Sequence, residues 1–120
     1  MGEIVFNWIL VLIYMGVIFF FSSQSSLPQV VTSFNDKILH TVEYALLGLL
    51  FIRATTYTRP RWAFKTLLML TVCFCLLYGF SDEFHQSFVP GRDASGYDVL
   101  ADGIGGLLGA FVWRIRCHLK

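Results

Sequence analysis

Apolar residues fall into four long blocks divided by short polar stretches. The first runs from Ile4 to Phe21, broken only by Asn7, and stops at Ser22, Ser23, Gln24, Ser25 and Ser26 ahead of Pro28. The second runs from about Ile38 to Ile52, the third from Trp62 to Phe80 and the fourth from about Tyr97 to Trp113. At a rise of about 1.5 Å per residue, the first and third reach across a hydrocarbon core of roughly 30 Å. The second and fourth are a little short, which predicts tilted or partly sunken ends. The pattern therefore predicts an all-α membrane protein, with four transmembrane helices forming one compact bundle and residues 1–120 forming a single domain. The first block carries Glu3, has no Lys or Arg before it and exceeds the apolar run of a typical leader, so it reads as a retained span.

Basic residues orient the spans. Arg53, Arg59, Arg61 and Lys65 bracket the second connection, and Arg114, Arg116 and Lys120 follow the fourth block, so both belong in the cytoplasm. Four spans then put the N- and C-termini in the cytoplasm and turn residues 22–36 and 81–96 outward. A re-entrant hairpin in place of a short span would break this count.

Composition narrows the function classes. With 56% hydrophobic residues among 120, against 9 basic and 8 acidic ones, the chain is too apolar for a disordered tail. A net charge of +1 leaves no basic field for nucleic acid. Cys73, Cys75 and Cys117 form no CxxC, which removes zinc-knuckle and thioredoxin readings; Cys73 and Cys75 point to opposite faces of one helix. Trp8, Trp62 and Trp113 all lie near cytoplasmic ends, as an interfacial belt requires.

The unusual polar residues gather at the outer ends. On span two, Lys37, His40, Glu43 and Tyr44 follow at three- and four-residue steps and share one face. On span four, Asp98 and Asp102 are an i, i+4 pair above a stripe of Gly105 and Gly109, with Asp102 about 6 Å deeper. That stripe suits contacts within the bundle or between copies in a homo-oligomer. Span three ends in Ser81, Asp82, Glu83, Phe84, His85 and Gln86, and Val89-Pro90-Gly91-Arg92 adds a turn and a guanidinium. Each ionisable group inside a membrane costs roughly 2.5 to 3.5 kcal/mol on insertion scales, so several at one depth imply mutual pairing or a wet cavity. A purely structural network is the plain alternative, with Arg92 bridging Asp98 and Glu83 and Lys37 snorkelling beside Asp36.

Glu83, Asp98 and Asp102 offer acid or base chemistry with His40 or His85 as partner. Arg92 with Lys37 suits a phosphate or carboxylate, and Glu43, Gln86 and His85 complete the candidate ligand-binding set. Metal donors are present, but no HExxH or comparable spacing organises them, so no metal and no cofactor are assigned. The serines lack a GxSxG or SxxK context and read as a helix-exit cap.

Phe21-Ser22-Ser23-Gln24, Asp36-Lys37 with His40, Tyr44, Leu47 and Gly48, and Glu83 with Gln86, Phe88 and Pro90-Gly91-Arg92, then Asp98 and Asp102 ahead of Gly105-Gly106 and Gly109, resemble the VanZ-like family in order along nearly the whole chain. The resemblance implies a small bacterial membrane protein with several spans, in a family named for a member that gives low-level resistance to the glycopeptide teicoplanin. Its family-like positions here are Lys37, His40, Glu83, Gln86, Arg92, Asp98 and Asp102; Glu43, Asp82 and His85 are added from helical geometry. The position of Asp102 is frequently Asn in that family.

The expectation is a multi-pass protein of the bacterial cytoplasmic membrane. Its outer-leaflet polar pocket would bind an anionic lipid-linked cell-wall precursor or polyprenyl phosphate and so affect glycopeptide susceptibility. The alternative is an outer-leaflet hydrolase or transferase acting on a phosphorylated or glycosylated lipid, with Glu83, His40, Asp98 and Asp102 as its catalytic groups. A proton-coupled carrier fits less well, since the cytoplasmic half has few ionisable residues.

Overall fold

The computed structural model describes residues 1–24, 33–92 and 94–120, with residues 33–35 described by backbone only. It contains four helices: α1 (Gly2–Ser22), α2 (Ser33–Thr58), α3 (Phe64–Gln86) and α4 (Gly96–His118). They run alternately up and down in a bundle of 45 × 25 × 21 Å. The helices α1, Asp36–Thr58 of α2, and α3 are long and apolar enough to cross a membrane. The 23-residue α4 has the length of a span, but its glycines and its two aspartates make it less apolar.

Burial is inverted relative to a water-soluble bundle. Among the described residues, ten apolar side chains are buried, and so are ten polar ones: Asn7, Ser22, His40, Thr55, Thr71, Asp82, Glu83, Gln86, Asp98 and Asp102. The exposed surface carries large apolar groups on every helix, among them Phe6, Leu12, Val42, Leu77, Ile104 and Val112. A surface of this kind is stable only against lipid. Thr55, Thr56, Thr58 and Thr71 each return their hydroxyl to the carbonyl four residues earlier, so none is left unbonded in the apolar interior.

The helices extend beyond the apolar blocks that predict them. Block two begins at Ile38, yet α2 begins at Ser33 and continues through Arg53 to Thr58. Block four ends at Trp113, yet α4 continues through Arg114 and Arg116 to His118. A helix needs only its backbone bonds and one buried stripe, so polar residues at its ends prolong it past the hydrophobic run. The stretch Asp36–Thr58 of α2 thereby reaches 23 residues, the length of a span at about 1.5 Å per residue, and α4 equals it in length.

Glycine sets the closest packing. The α4 stripe lies on α2: a methyl at Gly105 would meet the Thr41 carbonyl, one at Gly109 the Ala45 carbonyl, and one at Gly48 would come 2.7 Å from Gly106 Cα. On the other side of α4, a methyl at Gly106 would come 2.7 Å from Cys75 Sγ of α3. The Gly105/Gly109 stripe is thus spent inside the bundle. Between α3 and α4, the Val89 carbonyl accepts the Arg92 N–H at 3.2 Å across Pro90-Gly91, and Gly91 takes φ 79°. Pro and then a left-handed Gly is the sequence of a type II turn, and it places Arg92 over the bundle end.

Candidate functional site

Two cross-helix pairs join α2 to α4 at the end opposite Arg59, Arg61, Arg114 and Arg116, the arginine-bearing end. Lys37 Nζ donates to Asp98 Oδ1 at 3.3 Å. One turn deeper, His40 Nδ1 and Asp102 Oδ1 lie 3.0 Å apart with both side chains buried. This spacing follows from register: His40 comes three residues after Lys37 and Asp102 four after Asp98, on helices that run parallel. Asp102 fits because α3 carries Gly79 opposite it; a Cβ there would strike the carboxylate. The imidazole also faces Asp36, with Nε2 3.8 Å from Asp36 Oδ2.

Further contacts tie in α3 and α1. Glu83 Oε2 accepts the Ser95 N–H at 2.7 Å, which anchors the start of α4. Gln86 Nε2 donates to Ser22 Oγ at 2.9 Å, closing α3 onto α1. Tyr14 and Tyr78 donate to the carbonyls of Glu43 and Met15 at 3.0 and 2.7 Å.

These helices enclose a cavity of about 40 Å³, room for a few waters. Its polar wall is Ser22, Asp36, His40, Glu43, Asp82, Gln86 and Arg92, and its apolar rim is Ile18, Phe21 and Leu39. Phe21 and Leu39 are about half exposed on the outer faces of α1 and α2, so the rim meets the lipid-facing surface. Arg92 Nη1 is buried with no hydrogen-bond partner among the described residues.

Of the residues expected from sequence, His40, Glu43, Gln86 and Arg92 meet at this cavity. Asp102 lies beneath it as the partner of His40. Lys37 and Asp98 bond to each other, and Lys37 borders a separate groove of about 370 Å³ with Ile38, Tyr97, Leu100 and Ile104. Lys37 and Arg92, expected together on one phosphate, thus border two separate cavities. Glu83 holds the Ser95 amide, and the His85 ring stacks on Phe19 with centroids 4.6 Å apart. Arg92 does not bridge Asp98 and Glu83, because Lys37 and Ser95 take those places.

Two residues of the family-like strings that have no part in the expected site contribute to it. Ser22 is not merely a helix-exit residue: it is buried on the α1 stripe of Asn7, Val11 and Ile18, a spacing visible in the sequence. Asp36, read as an interfacial neighbour of Lys37, turns instead toward His40 and the cavity, as its i, i+4 spacing allows.

No curated protein and no solved structure matches this sequence. The VanZ/LLP1 family matches it over residues 6–117, a stretch that holds every wall of the cavity and both cross-helix pairs, so this multi-pass membrane protein of the bacterial envelope belongs to the VanZ/LLP1 family.

Proposed function

We propose that the chain is a single domain crossing the bacterial cytoplasmic membrane four times, with the arginine-bearing end inside, and that its outer cavity holds the phosphate headgroup of an envelope lipid. A polyprenyl phosphate or a lipid-linked cell-wall precursor would supply such a headgroup. The observation that carries the reading is Arg92: its Nη1 donor is buried at the cavity wall with no hydrogen-bond partner among the described residues, in a wall that also holds Gln86. An unmatched buried donor is costly, and a phosphate oxygen is the acceptor its fork suits best. The rim supports an amphiphile over a free ion, since a headgroup beyond Phe21 and Leu39 leaves its chain among the exposed apolar residues of α1 and α2. Occupancy of such lipids would alter how a lipophilic glycopeptide reaches its target, which is how a susceptibility phenotype would arise.

Thermal unfolding of the purified chain in mild detergent tests this. A ligand bound only to the folded state stabilises it by about 2.7 kcal/mol at a hundredfold excess over its dissociation constant. Polyprenyl phosphate should raise the transition of the wild type, neutral polyprenol should not, and Arg92→Ala should lose the shift while remaining folded. An equal shift in Arg92→Ala would defeat the proposal.

A second reading is favoured by the His40–Asp102 pair, since an imidazole held by a buried carboxylate, with its other nitrogen toward a wet cavity, is arranged as a general base. Turnover of a phosphorylated or glycosylated lipid by the wild type and its loss in His40→Gln, with lipid binding retained, would support an enzyme.

A further inference from the structure

The acid-rich wall of the cavity raises a question of charge. Asp36, Glu43 and Asp82 line it, with Arg92 as the one Lys or Arg among its lining residues. Next to that wall, the donor atoms of Asp36, His40 and Asp98 all lie within 4.8 Å of one another. We propose that these three side chains form a binding site for a first-row divalent cation, Zn²⁺ or Mn²⁺, at the outer end of α2 and α4.

Three observations support a cation there. First, the imidazole is already oriented: Nδ1 is engaged by Asp102 at 3.0 Å, which leaves Nε2 as the nitrogen facing Asp36 and the cavity. A carboxylate holding the remote nitrogen of a histidine is the arrangement that fixes the tautomer of metal-bound imidazoles. Second, Nε2 and Asp36 Oδ2 are 3.8 Å apart, too far for a direct hydrogen bond. Two ligand atoms bound at about 2.0 to 2.2 Å to one ion sit roughly 3 to 3.5 Å apart, so a small rotation of the partly exposed Asp36 brings this pair to a ligand separation. Third, His40 and Asp98 are almost wholly buried, yet the only protein cation hydrogen-bonded to either, among the described residues, is Lys37 on Asp98 Oδ1. Lys37 holds only Oδ1 of Asp98, so Oδ2 is the oxygen offered to the ion.

One imidazole with two carboxylates favours Zn²⁺ or Mn²⁺ over Mg²⁺ and Ca²⁺, which prefer oxygen shells. A cation here would also offset the carboxylates that otherwise oppose a phosphate at Arg92. It would occupy the lone pair that the general-base reading of His40 needs, so those two uses of His40 exclude one another.

The test is metal uptake by the full chain in detergent without added lipid, so that it can fail independently of the headgroup reading. The protein is stripped with chelator and carries Cys117→Ser and His118→Ala, which removes the exposed thiol and imidazole at the other end of the bundle. Titration with Zn²⁺, and in parallel with Mn²⁺, should show one equivalent bound per chain. Asp36→Asn, which leaves the His40–Asp102 pair intact, should weaken affinity at least tenfold, and His40→Gln should abolish it. Asp102→Ala should weaken it roughly 10- to 100-fold through loss of the orienting carboxylate. Glu3→Gln, at the far end, should bind as the parent does. Absence of stoichiometric uptake by the folded parent, or equal affinity in folded Asp36→Asn, would overturn the site.

Discussion

Replacing Gly109 by alanine is the sharpest structural test of how α4 seats on α2. The added methyl would strike the Ala45 carbonyl oxygen and lie 2.7 Å from Leu49 N and 3.0 Å from Ala45 C. Ordinary contact between such atoms is about 3.5 to 4.0 Å, so the helices must part by roughly 1 Å. All three obstructing atoms are backbone within a regular helix, so no rotamer change can relieve the contact. Overpacking of this kind costs about 1 to 3 kcal/mol, and a clash with backbone belongs at the upper end. Alanine recovers about 0.8 to 1.0 kcal/mol of helix propensity over glycine, leaving a net loss of about 2 kcal/mol. Gly16→Ala is the matched control, because a methyl there meets nothing within 4 Å and should only add propensity. Reversible unfolding in mixed micelles, driven by SDS and followed by circular dichroism, gives both values. The two substitutions should differ in sign. If Gly109→Ala were as stable as Gly16→Ala, the close seating of α4 on α2 would be wrong, and so would the positions of both cross-helix pairs that depend on it.

Asp102→Ala leaves the buried His40 Nδ1 without an acceptor and should cost about 1 to 3 kcal/mol in the same assay, whereas Asp102→Asn keeps an oxygen in place and should cost less; the reverse order would contradict the assigned bond. Trp8 donates to Thr58 Oγ1 at 2.9 Å, so Trp8→Phe should lose about 0.5 to 1.5 kcal/mol, and Thr58→Val should add little in that background; full additivity would refute the bond. Cys75 is buried, Cys73 is exposed along the apolar stretch of α3, and Cys117 is exposed at the arginine-bearing end. With that end in the cytoplasm, as proposed, a membrane-impermeant maleimide should modify Cys117 only after the cells are permeabilised, and labelling in intact spheroplasts would reverse the proposed orientation.

Helix number and order are legible in the sequence because lipid demands long apolar runs with polar breaks between them. Helix ends are less legible: Asp36 and Lys37 precede the apolar run of block two, but they lie within the outer turns of α2, where Lys37 reaches across to Asp98 and Asp36 turns to His40. The polar face of Lys37, His40, Glu43 and Tyr44 was visible at three- and four-residue spacing, and so was the Asp98/Asp102 pair. Which residue meets which was not, since those contacts depend on the relative height of two helices. That height is set by Gly48, Gly105, Gly106 and Gly109, and only packing reveals that they bring α2 and α4 together. The division of labour between the two basic residues was hidden for the same reason: Lys37 is captured by Asp98, while the Pro90-Gly91 turn delivers Arg92 alone to the cavity. Gly79 is a further case, an ordinary glycine in an apolar run whose missing side chain makes space for Asp102 on the neighbouring helix.

Arg92 is proposed to receive the phosphate of an amphiphile at the outer cavity. The most direct test is the dissociation constant of a polyprenyl phosphate for the wild type and for Arg92→Ala, both folded and in nanodiscs of the same neutral lipid. Loss of one charge-assisted contact of about 1.5 to 3 kcal/mol predicts binding weaker by at least tenfold in the variant, with no saturable binding of the neutral polyprenol to either. Equal dissociation constants, or equal binding of the neutral alcohol, would contradict it.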